Sequence, residues 1–492
     1  MIRKNESFII FCSIIICYIL TNYGGIRSPD NEITFRVGES IGSYLRFSVE
    51  KPLSWQGFGV ARGKDGRFYS VFGPLESIIL MPIIGLSNII TNTDWYKNMN
   101  IPPSHYLHNG LQDFLLTRRP KDLKPHTLRF IVSYLFIPIT LFGLIFLYLI
   151  MRQFASKPAS IWATTLSALG TIIWAYSGTL FSEPLAILLI LISLYFLIKE
   201  GATPLFAGIF LGMATMAHIT SILFAPFFLI YLILKRRKII KYLIGLAIPL
   251  LLLGIYNHIR FGNPFETGRT ADLFGESRYI YSYFVAPWQG LYGLLLSAGK
   301  GLIVYSPAVI LGIIGWRSLH KKDRTLSFTL IGAIVFRIIF IASRSDWPGG
   351  FCLGPRYLLP ILPFLILPVA PWLDGLIERK SHLTLSGLFI VTFLCILQQL
   401  YFNLGEIFSY FHLMRFKFLK VGIDIFKNHQ IYFNWQISPI SHILKGKPGP
   451  FLLQQTEAIA KATTLTIGIL IIIIILFLGL ILLNNYQKES TQ

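Results

Sequence analysis

Acidic residues are scarce in this chain of 492 residues, because 23 Asp and Glu stand against 44 Lys and Arg and leave a formal charge of +21. Charged residues of both signs make up only 14% of the chain, whereas a soluble domain carries about a quarter. Hydrophobic residues make up 54%, and the mean hydropathy is +0.61. These values exclude an ordinary soluble domain and indicate a polytopic membrane protein.

The surplus of Lys and Arg does not indicate a nucleic-acid-binding protein. Such a protein concentrates its basic residues on a folded polar domain, whereas here they form short clusters between apolar runs. That distribution is the one expected from the positive-inside rule. We expect the lipid bilayer, and no nucleic acid, as a partner.

Cysteine is also rare, with 4 residues in the chain. Cys12, Cys17 and Cys395 fall inside apolar runs, and Cys352 lies in a polar loop. The absence of a CxxC pair excludes a disulfide framework and a cysteine-based metal site. We expect no nucleotide or organic cofactor either.

Apolar runs long enough to span a bilayer recur along the chain. The first, 8–23, follows Arg3 and Lys4 and lacks a small-x-small cleavage site after it, so we expect a retained signal anchor. The others lie at 128–150, 159–177, 184–198, 204–217, 219–234, 239–257, 301–316, 325–342, 357–373, 383–401 and 464–484. The sequence therefore predicts an all-α polytopic membrane protein with about 12 transmembrane helices, in a range of 11 to 13, and its N-terminus inside.

The short links between predicted spans test this topology, because those after the second, fourth, sixth, eighth and tenth spans should lie in the cytoplasm. They read MRQFASKP, KEGATP, KRRKIIK, RSLHKKDR and ERK, and all are basic, as cytoplasmic links should be. A crossing by the apolar segment GPLESIILMPIIGLSNII, about 73–90, would reverse this pattern. Because that segment also contains Glu76 and Pro82, we expect an interfacial helix on the outer face.

Three regions follow from this topology. Residues 1–401 form a transmembrane catalytic module whose first external loop is 24–127. Residues 402–463 form a further external loop, a candidate acceptor-site region, and 464–492 hold the last transmembrane helix and a cytoplasmic tail.

Acidic residues at the outer ends of helices are candidate catalytic groups. Asp30 and Glu32 in RSPDNEITF fall in the first turn of a helix that Ser-Pro-Asp favours, although a helix cap and a surface acid would look the same. Glu183 in LFSEPL lies within a turn of hydrocarbon, where carboxylates are costly and usually functional, although Ser-Glu-Pro is also a good helix start. The lone His218 is interpreted as structural.

Basic residues near glycine are candidate phosphate contacts, each with a plainer alternative. Lys64, Arg67 and Tyr69 in GKDGRFYS suit a phosphate or a solvated turn followed by an aromatic belt. Lys300 in SAGKGL suits an anion or a snorkelling lysine, and Arg260 in HIRFGN suits a phosphate or an interfacial anchor.

The densest cluster is SRSDWPGGFCLGPRYLLP, a short loop between two spans. It holds Arg344, Asp346, Trp347, Arg356 and Tyr357. A mere connector needs no such composition, whereas a site for a phosphate and a sugar uses arginine forks, an acid and an aromatic platform. We interpret this loop as part of a functional site.

These motifs together resemble the GT-C superfamily of membrane glycosyltransferases, and in particular the bacterial protein O-mannosyltransferase and aminoarabinose transferase families. The resemblance extends from the first helix to about residue 375. Besides the acids after the first helix, it rests on GRFYSVFGPLESIILMPI, SGTLFSEPLAILL, GMATMAHITSILFAP, GLLLSAGKGLIVYSPAVILGIIGW and WPGGFCLGPRYLLPILPFL.

The resemblance implies an inverting hexosyl- or pentosyltransferase in the bacterial inner membrane with its site facing the periplasm. Its donor would be a polyprenyl-phosphate-linked sugar, and its acceptor a hydroxyl of a lipid, protein or glycan. Asp30 is the expected general base, but Asn31 separates it from Glu32, so either acid can hold that position.

The resemblance also assigns roles to the remaining candidates. Glu32 and Glu183 would orient the acceptor or bind a divalent cation, and the sequence leaves both options open. The donor phosphate partners would be Arg356, Lys300, Arg344 and Arg260, and the sugar or lipid contacts Trp347, Tyr357, Asp346, Tyr69, Arg67 and Lys64.

Two other functions fit a basic polytopic protein. A flippase or transporter of lipid-linked sugars would place its ionisable residues near the bilayer midplane, whereas these cluster on one face. A polysaccharide polymerase or ligase would use basic, histidine-containing outer loops rather than an acid after the first helix. Both comparisons favour the transferase.

Overall fold

A computed structural model describes most of the chain. The described residues are 6–22, 26, 28–49, 59–94, 129, 132–269, 284–350, 352–405, 410, 414, 417–418, 420–422 and 429–443. Most of them are helical, as the apolar runs predict.

The helices of ten or more residues are numbered in chain order. They are α1 Glu6–Thr21, α2 Pro29–Tyr44, α3 Pro74–Thr91, α4 Ile137–Met151, α5 Lys157–Leu169, α6 Ser182–Ile198, α7 Pro204–Ala217, α8 Ala225–Leu234, α9 Ile239–Phe261, α10 Pro287–Leu296, α11 Val309–Lys322, α12 Arg324–Ala342, α13 Val369–Glu378 and α14 His382–Leu404. Shorter segments are the 3₁₀ helices Ile219–Phe224 and Arg356–Ile361 and the α-helical turns Ile173–Tyr176, Leu302–Tyr305, Leu362–Ile366, Gln430–Phe433 and Pro439–Ile443.

Five helical segments in the described part of the chain are long and apolar enough to cross a membrane. They are Val132–Met151, Ile239–Phe261, Arg324–Ala342, Arg356–Glu378 and His382–Leu404. The span predicted at 204–217 coincides with α7, and those predicted at 184–198 and 325–342 match α6 and α12 within two residues. The span predicted at 464–484 and most of the loop 402–463 lie outside the described residues.

Proline explains why one predicted span is irregular. The segment Arg356–Glu378 passes from a 3₁₀ turn through a short helix into α13, and it contains Pro360, Pro363 and Pro368. Each proline removes a backbone N–H donor and crowds the preceding turn, so a continuous α-helix is not possible here.

A small β-hairpin departs from the all-α prediction. Strands β1 Val60–Arg62 and β2 Phe68–Ser70 pair antiparallel, with Ala61 opposite Tyr69. Their turn contains Asp65 and Gly66, whose φ of 80° suits glycine, and the Tyr69 hydroxyl donates to Asp65 Oδ2 at 2.7 Å. The Asp-Gly pair was the hairpin signal in the sequence.

The described part of the loop predicted to be external, 24–127, contains both helices expected there. Helix α2 starts at Pro29, directly after Ser28, as predicted, and α3 covers the predicted helix at 73–90. The Ser77 hydroxyl on α3 donates to the Thr34 carbonyl of α2 at 3.0 Å, so the two helices pack together. The position of α3 on the membrane surface stays a prediction.

The basic links between the predicted spans gather at one end of the helices. Lys235 lies 2.9 Å from the Asp323 carboxylate, and Arg237 donates to the Ala202 carbonyl at 3.0 Å. The Ser156 amide donates to Asp374 at 3.2 Å. Because these residues come from different links, their contacts agree with the alternating direction predicted from the charges.

Helices α7 and α9 touch backbone to backbone. A Cβ atom at Gly208 would meet the Tyr242 carbonyl oxygen, and one at Gly245 would meet the Leu205 carbonyl oxygen. Small residues allow this close approach between apolar helices, where contact area rather than hydrophobic burial provides the attraction.

Substitution Gly208→Ala should therefore destabilise the protein, because the new methyl group clashes with backbone that has no room to move. We expect a loss of about 1–3 kcal/mol, seen as a lower melting temperature in detergent micelles. Gly387→Ala is the matched control, since a Cβ at that helical position meets nothing within 4 Å. Equal melting temperatures for both variants would contradict this account.

Candidate functional site

Arg356 lies between two carboxylates from distant parts of the chain. Its Nη1 donates to Asp30 Oδ2 at 2.9 Å, and its Nε lies 3.3 Å from Glu183 Oε1. Asp30 is in the first turn of α2 and Glu183 in the first turn of α6, so both acids lie at helix N-termini. The Arg356 guanidinium also stacks on the Phe181 ring at 4.3 Å.

Glu76 adds a third acid to this group. It lies in the first turn of α3 and is buried, and its Oε1 has no hydrogen-bond partner among the described residues. Burial, followed by the negative charges of Glu183 and Asp30, holds the pKa of Glu76 well above its ordinary value. The sequence indicates Glu76 only as a charge on an interfacial helix, because nothing in it brings this residue next to the other acids.

Tyr357 lies among several arginines. The guanidinium carbons of Arg344 and Arg356 are 4.7 and 5.1 Å from the centre of its ring, and Arg337 Nε donates to its carbonyl at 3.0 Å. Arg344 also makes two hydrogen bonds of 2.7 Å to the Asp346 carboxylate. The cluster predicted between 343 and 357 is thus assembled around one aromatic ring.

His218 completes the same region. Its Nδ1 is 2.9 Å from the Ser182 hydroxyl, its ring centre is 6.4 Å from that of Tyr357, and its Nε2 has no partner among the described residues. Burial and the nearby arginines, Arg337 first, hold the pKa of His218 well below its ordinary value, so the ring is neutral.

Glu32 and Asp30 contact different arginines. Both of its oxygens accept hydrogen bonds from Arg129, at 2.8 and 2.6 Å, and Oε1 also accepts one from Arg36 at 2.7 Å. Burial raises the pKa of this carboxyl, but the two arginines outweigh burial, and the pKa lies below its ordinary value. Arg129 was not among the residues singled out from the sequence, since 97 positions separate it from Glu32.

Lys300 and Trp347 hold the arginine-containing loop in place. The Lys300 ammonium donates to the carbonyls of Gly350 and Cys352 at 3.0 and 2.8 Å and is buried. Trp347 is buried as well, and Gly293 leaves room for its ring. The phosphate contact expected at Lys300 and the sugar or lipid contact expected at Trp347 stay predictions, and in this structure the Lys300 ammonium donates to backbone carbonyls.

Arg260 and the hairpin residues form a second group. Arg260 donates to the Ser70 carbonyl at 2.6 Å and to the Asn257 side chain at 2.7 Å, so its guanidinium joins β2 to α9. The remaining candidates there are Lys64 and Arg67, both exposed in the hairpin turn, and Tyr69, whose side chain packs on Phe261. The expected phosphate contact at Arg260 therefore has competing partners within the protein.

No group of three or more His, Cys, Asp or Glu in the described part of the chain is arranged to hold a metal ion. The divalent cation considered from the sequence stays a prediction. The chemistry that the described groups offer is that of a buried cation, Arg356, in direct contact with a carboxylate, Asp30.

The fold is similar to that of solved structures, although comparison of the sequence with known families and proteins finds no match. Neither a family model nor a curated protein sequence matches the chain. The crystal structure of ArnT from Cupriavidus metallidurans in the apo state is similar to it, with a TM-score of 0.50 and 10% identity over 99% of this chain and 78% of that one. The same enzyme bound to undecaprenyl phosphate gives a TM-score of 0.50 and 12% identity over 98% and 77%.

The fold expected from the motif resemblance is therefore confirmed by its likeness to ArnT. The apolar helices and this likeness together identify a multi-pass membrane protein. At such low identity the likeness concerns the fold, and the chemistry has to be argued from this chain's own residues.

Substitution Glu32→Gln should destabilise the protein, because it leaves the buried Arg129 and the half-buried Arg36 beside an uncharged amide. We expect a loss of about 3–5 kcal/mol in the free energy of unfolding, measured by equilibrium denaturation in detergent micelles. The matched control is Glu39→Gln on the same helix, where the carboxylate is 36% exposed and 3.9 Å from Arg129.

The pH dependence gives a second test of this ion pair. A carboxyl whose pKa is lowered on folding stabilises the protein above its unfolded-state pKa, and that stabilisation is lost as the pH falls through the folded-state value. The difference between wild type and Glu32→Gln should therefore shrink on acidification. A difference that grows at low pH would argue against the pair.

Proposed function

We propose that this protein transfers a sugar from a polyprenyl-phosphate donor to an acceptor hydroxyl at the outer face of the bacterial cytoplasmic membrane. The observation that carries the proposal is the contact of 2.9 Å between Arg356 and Asp30. It brings a phosphate-binding cation and a general base together, in a fold shared with an enzyme that binds undecaprenyl phosphate.

The donor phosphate would bind at Arg356. Arginine suits a phosphate because its planar donors match the oxygens, and the neighbouring Arg344 and the Tyr357 ring provide a second cation and an aromatic surface. In the free protein the Arg356 charge is balanced by Asp30 and Glu183. An arriving phosphate would replace Asp30 on Arg356, so donor binding would release the base.

The reaction then has balanced steps. The acceptor oxygen forms a bond to the anomeric carbon while the bond from that carbon to the phosphate oxygen breaks. The acceptor proton passes to the Asp30 carboxylate, and the electron pair leaves with polyprenyl phosphate, whose charge Arg356 stabilises. Attack opposite the leaving phosphate inverts the anomeric configuration.

Asp30 is a better base than Glu32 in this structure. Both Glu32 oxygens accept arginine hydrogen bonds and the group is fully buried, whereas the Asp30 side chain keeps 22% of its surface exposed. The hydroxyl proton becomes acidic as the new bond forms, so a carboxylate can accept it late in the reaction.

Glu183 and Glu76 would keep Arg356 oriented when Asp30 leaves it. Glu183 lies near Nε of the guanidinium, whereas Asp30 contacts Nη1. Glu76 favours its protonated form, so it adds a donor rather than a charge. Their helices α6 and α3 fix both groups.

We also propose the topology expected from the charges. About 12 transmembrane helices with the N-terminus inside would place the basic links in the cytoplasm and the Arg356 group outside, with α3 on the membrane surface. The lipid chain of the donor would then reach the site from the bilayer between helices.

Substitution Asp30→Asn should lower turnover by about 10²–10⁴-fold while donor binding is kept, because the amide accepts no proton. The measurement is transfer from a panel of radiolabelled polyprenyl-phosphate sugars in membranes that contain the variant. Asp374→Asn, the same change at the opposite end of the helices, is the control and should keep activity. Wild-type turnover by Asp30→Asn would show that another group is the base.

Substitution Arg356→Ala should reduce both donor affinity and turnover, because the phosphate is held in the bound donor and gains charge in the transition state. The measurement separates KM from kcat with the donor varied. Arg379→Ala at the exposed end of α13 is the control. A normal KM for Arg356→Ala would contradict a donor site there, and no transfer from any donor by wild type would favour a flippase.

A further inference from the structure

A cavity of about 60 Å³ opens beside the proposed base. It lies where the end of α1, the start of α2, the segment 174–181 and the end of α14 meet. The groups that matter for its chemistry are Tyr18, Asn22, Asn31, Trp174, Tyr176 and Asn403.

The lining of this cavity is polar but uncharged. All its lining residues in the described part of the chain are aromatic, amide, hydroxyl, thiol, aliphatic or glycine, and none is Asp, Glu, Lys, Arg or His. This contrasts with the adjoining Arg356 group, which is almost entirely charged. A charged substituent entering the cavity would lose its hydration and contact no charged group of the described lining, whereas a neutral group would find hydrogen-bonding partners there.

Most polar groups of the lining already have partners within the protein. Trp174 Nε1 donates to Thr21 at 2.8 Å, and the Tyr176 hydroxyl donates to the Leu353 carbonyl at 2.7 Å. Asn31 is the exception, because its Oδ1 is buried and accepts no hydrogen bond from the described residues, although the residue is only 3% exposed. A buried acceptor without a donor is costly unless a ligand supplies one.

The cavity adjoins the site of the proposed reaction. Asn31 follows Asp30 directly on α2, and Phe181, another lining residue, stacks on the Arg356 guanidinium at 4.3 Å. A sugar whose phosphate lies on Arg356 would therefore lie next to the cavity. Aromatic side chains together with amides are typical sugar-binding groups, since they match apolar ring faces and hydroxyls.

We propose that this cavity is a specificity pocket for an uncharged hydroxyl-bearing substituent of the transferred sugar, with Asn31 as its hydrogen-bond acceptor. The inference rests on the proposed function. The volume exceeds what one water molecule needs, so a substituent such as a hydroxymethyl group has room to enter. The pocket selects a neutral hexose over a hexuronate or an amino sugar.

Binding to purified protein in detergent tests the pocket without requiring turnover. The probes are undecaprenyl phosphate, its hexose derivative and the matching hexuronate, which replaces the hydroxymethyl group by a carboxylate. Wild type should bind the hexose derivative about tenfold or more tightly than the hexuronate. Asn31→Ala should weaken binding of the hexose derivative about tenfold and leave undecaprenyl phosphate unchanged.

Two further variants guard against misfolding and indirect effects. Asn31→Asp keeps the shape of the side chain, and its added negative charge should shift preference toward the amino-sugar derivative. Asn92→Asp makes the same change at the exposed end of α3 and should shift nothing. A variant at Asn31 that binds all the derivatives in wild-type proportions would overturn the pocket.

The outcomes separate this inference from the proposed function. If Asn31→Ala changes the binding ratio of hexose to bare phosphate lipid, the pocket stands even where no transfer is detected. If wild type transfers sugar but the ratio is the same in wild type and both Asn31 variants, the transferase stands and the pocket is wrong. If wild type does not distinguish the hexose lipid from bare undecaprenyl phosphate, the pocket is wrong as well.

Discussion

The buried charge of Arg356 is the constraint on which the rest of the site depends. A guanidinium in a low-dielectric interior is tolerated only when carboxylates and aromatic faces surround it, and Asp30, Glu183 and Phe181 do so here. Asp30 and Arg356 are 326 positions apart, so this contact fixes the start of α2 to the start of a late helical segment. The arrangement also leaves one of the carboxylates, Asp30, partly open to solvent.

Three consecutive residues of α2 have three separate tasks because successive side chains on a helix point about 100° apart. Asp30 contacts Arg356, Asn31 lines the cavity, and Glu32 is held by Arg129 and Arg36. An asparagine between two acids looked like a departure from the expected pattern. In the folded protein Asn31 lines a cavity whose described lining is uncharged, whereas Asp30 and Glu32 contact arginines.

The distribution of charge along the helices is consistent with an enzyme that works at one face. The basic links meet at one end, where Lys235 pairs with Asp323, and the acids at three helix N-termini meet at the other around Arg356. A transport path would need ionisable groups near the middle of the helices. Here helices such as α7 and α9 pack closely against each other, with Gly208 at their contact.

The sequence by itself determined the helices, because apolar length, proline at helix starts and basic links are local signals. It placed α7 at its observed bounds, started α2 after Ser28 and put Asp30 and Glu183 in first turns. The partners of the charged side chains are distant in the sequence, and only the tertiary structure decided which groups they are. Arg129 pairs with Glu32 across 97 positions, and Glu76 lies near the other acids. Lys300 donates hydrogen bonds to backbone carbonyls. A charge in a sequence shows that a counter-charge or solvent is needed, but folding decides which group supplies it.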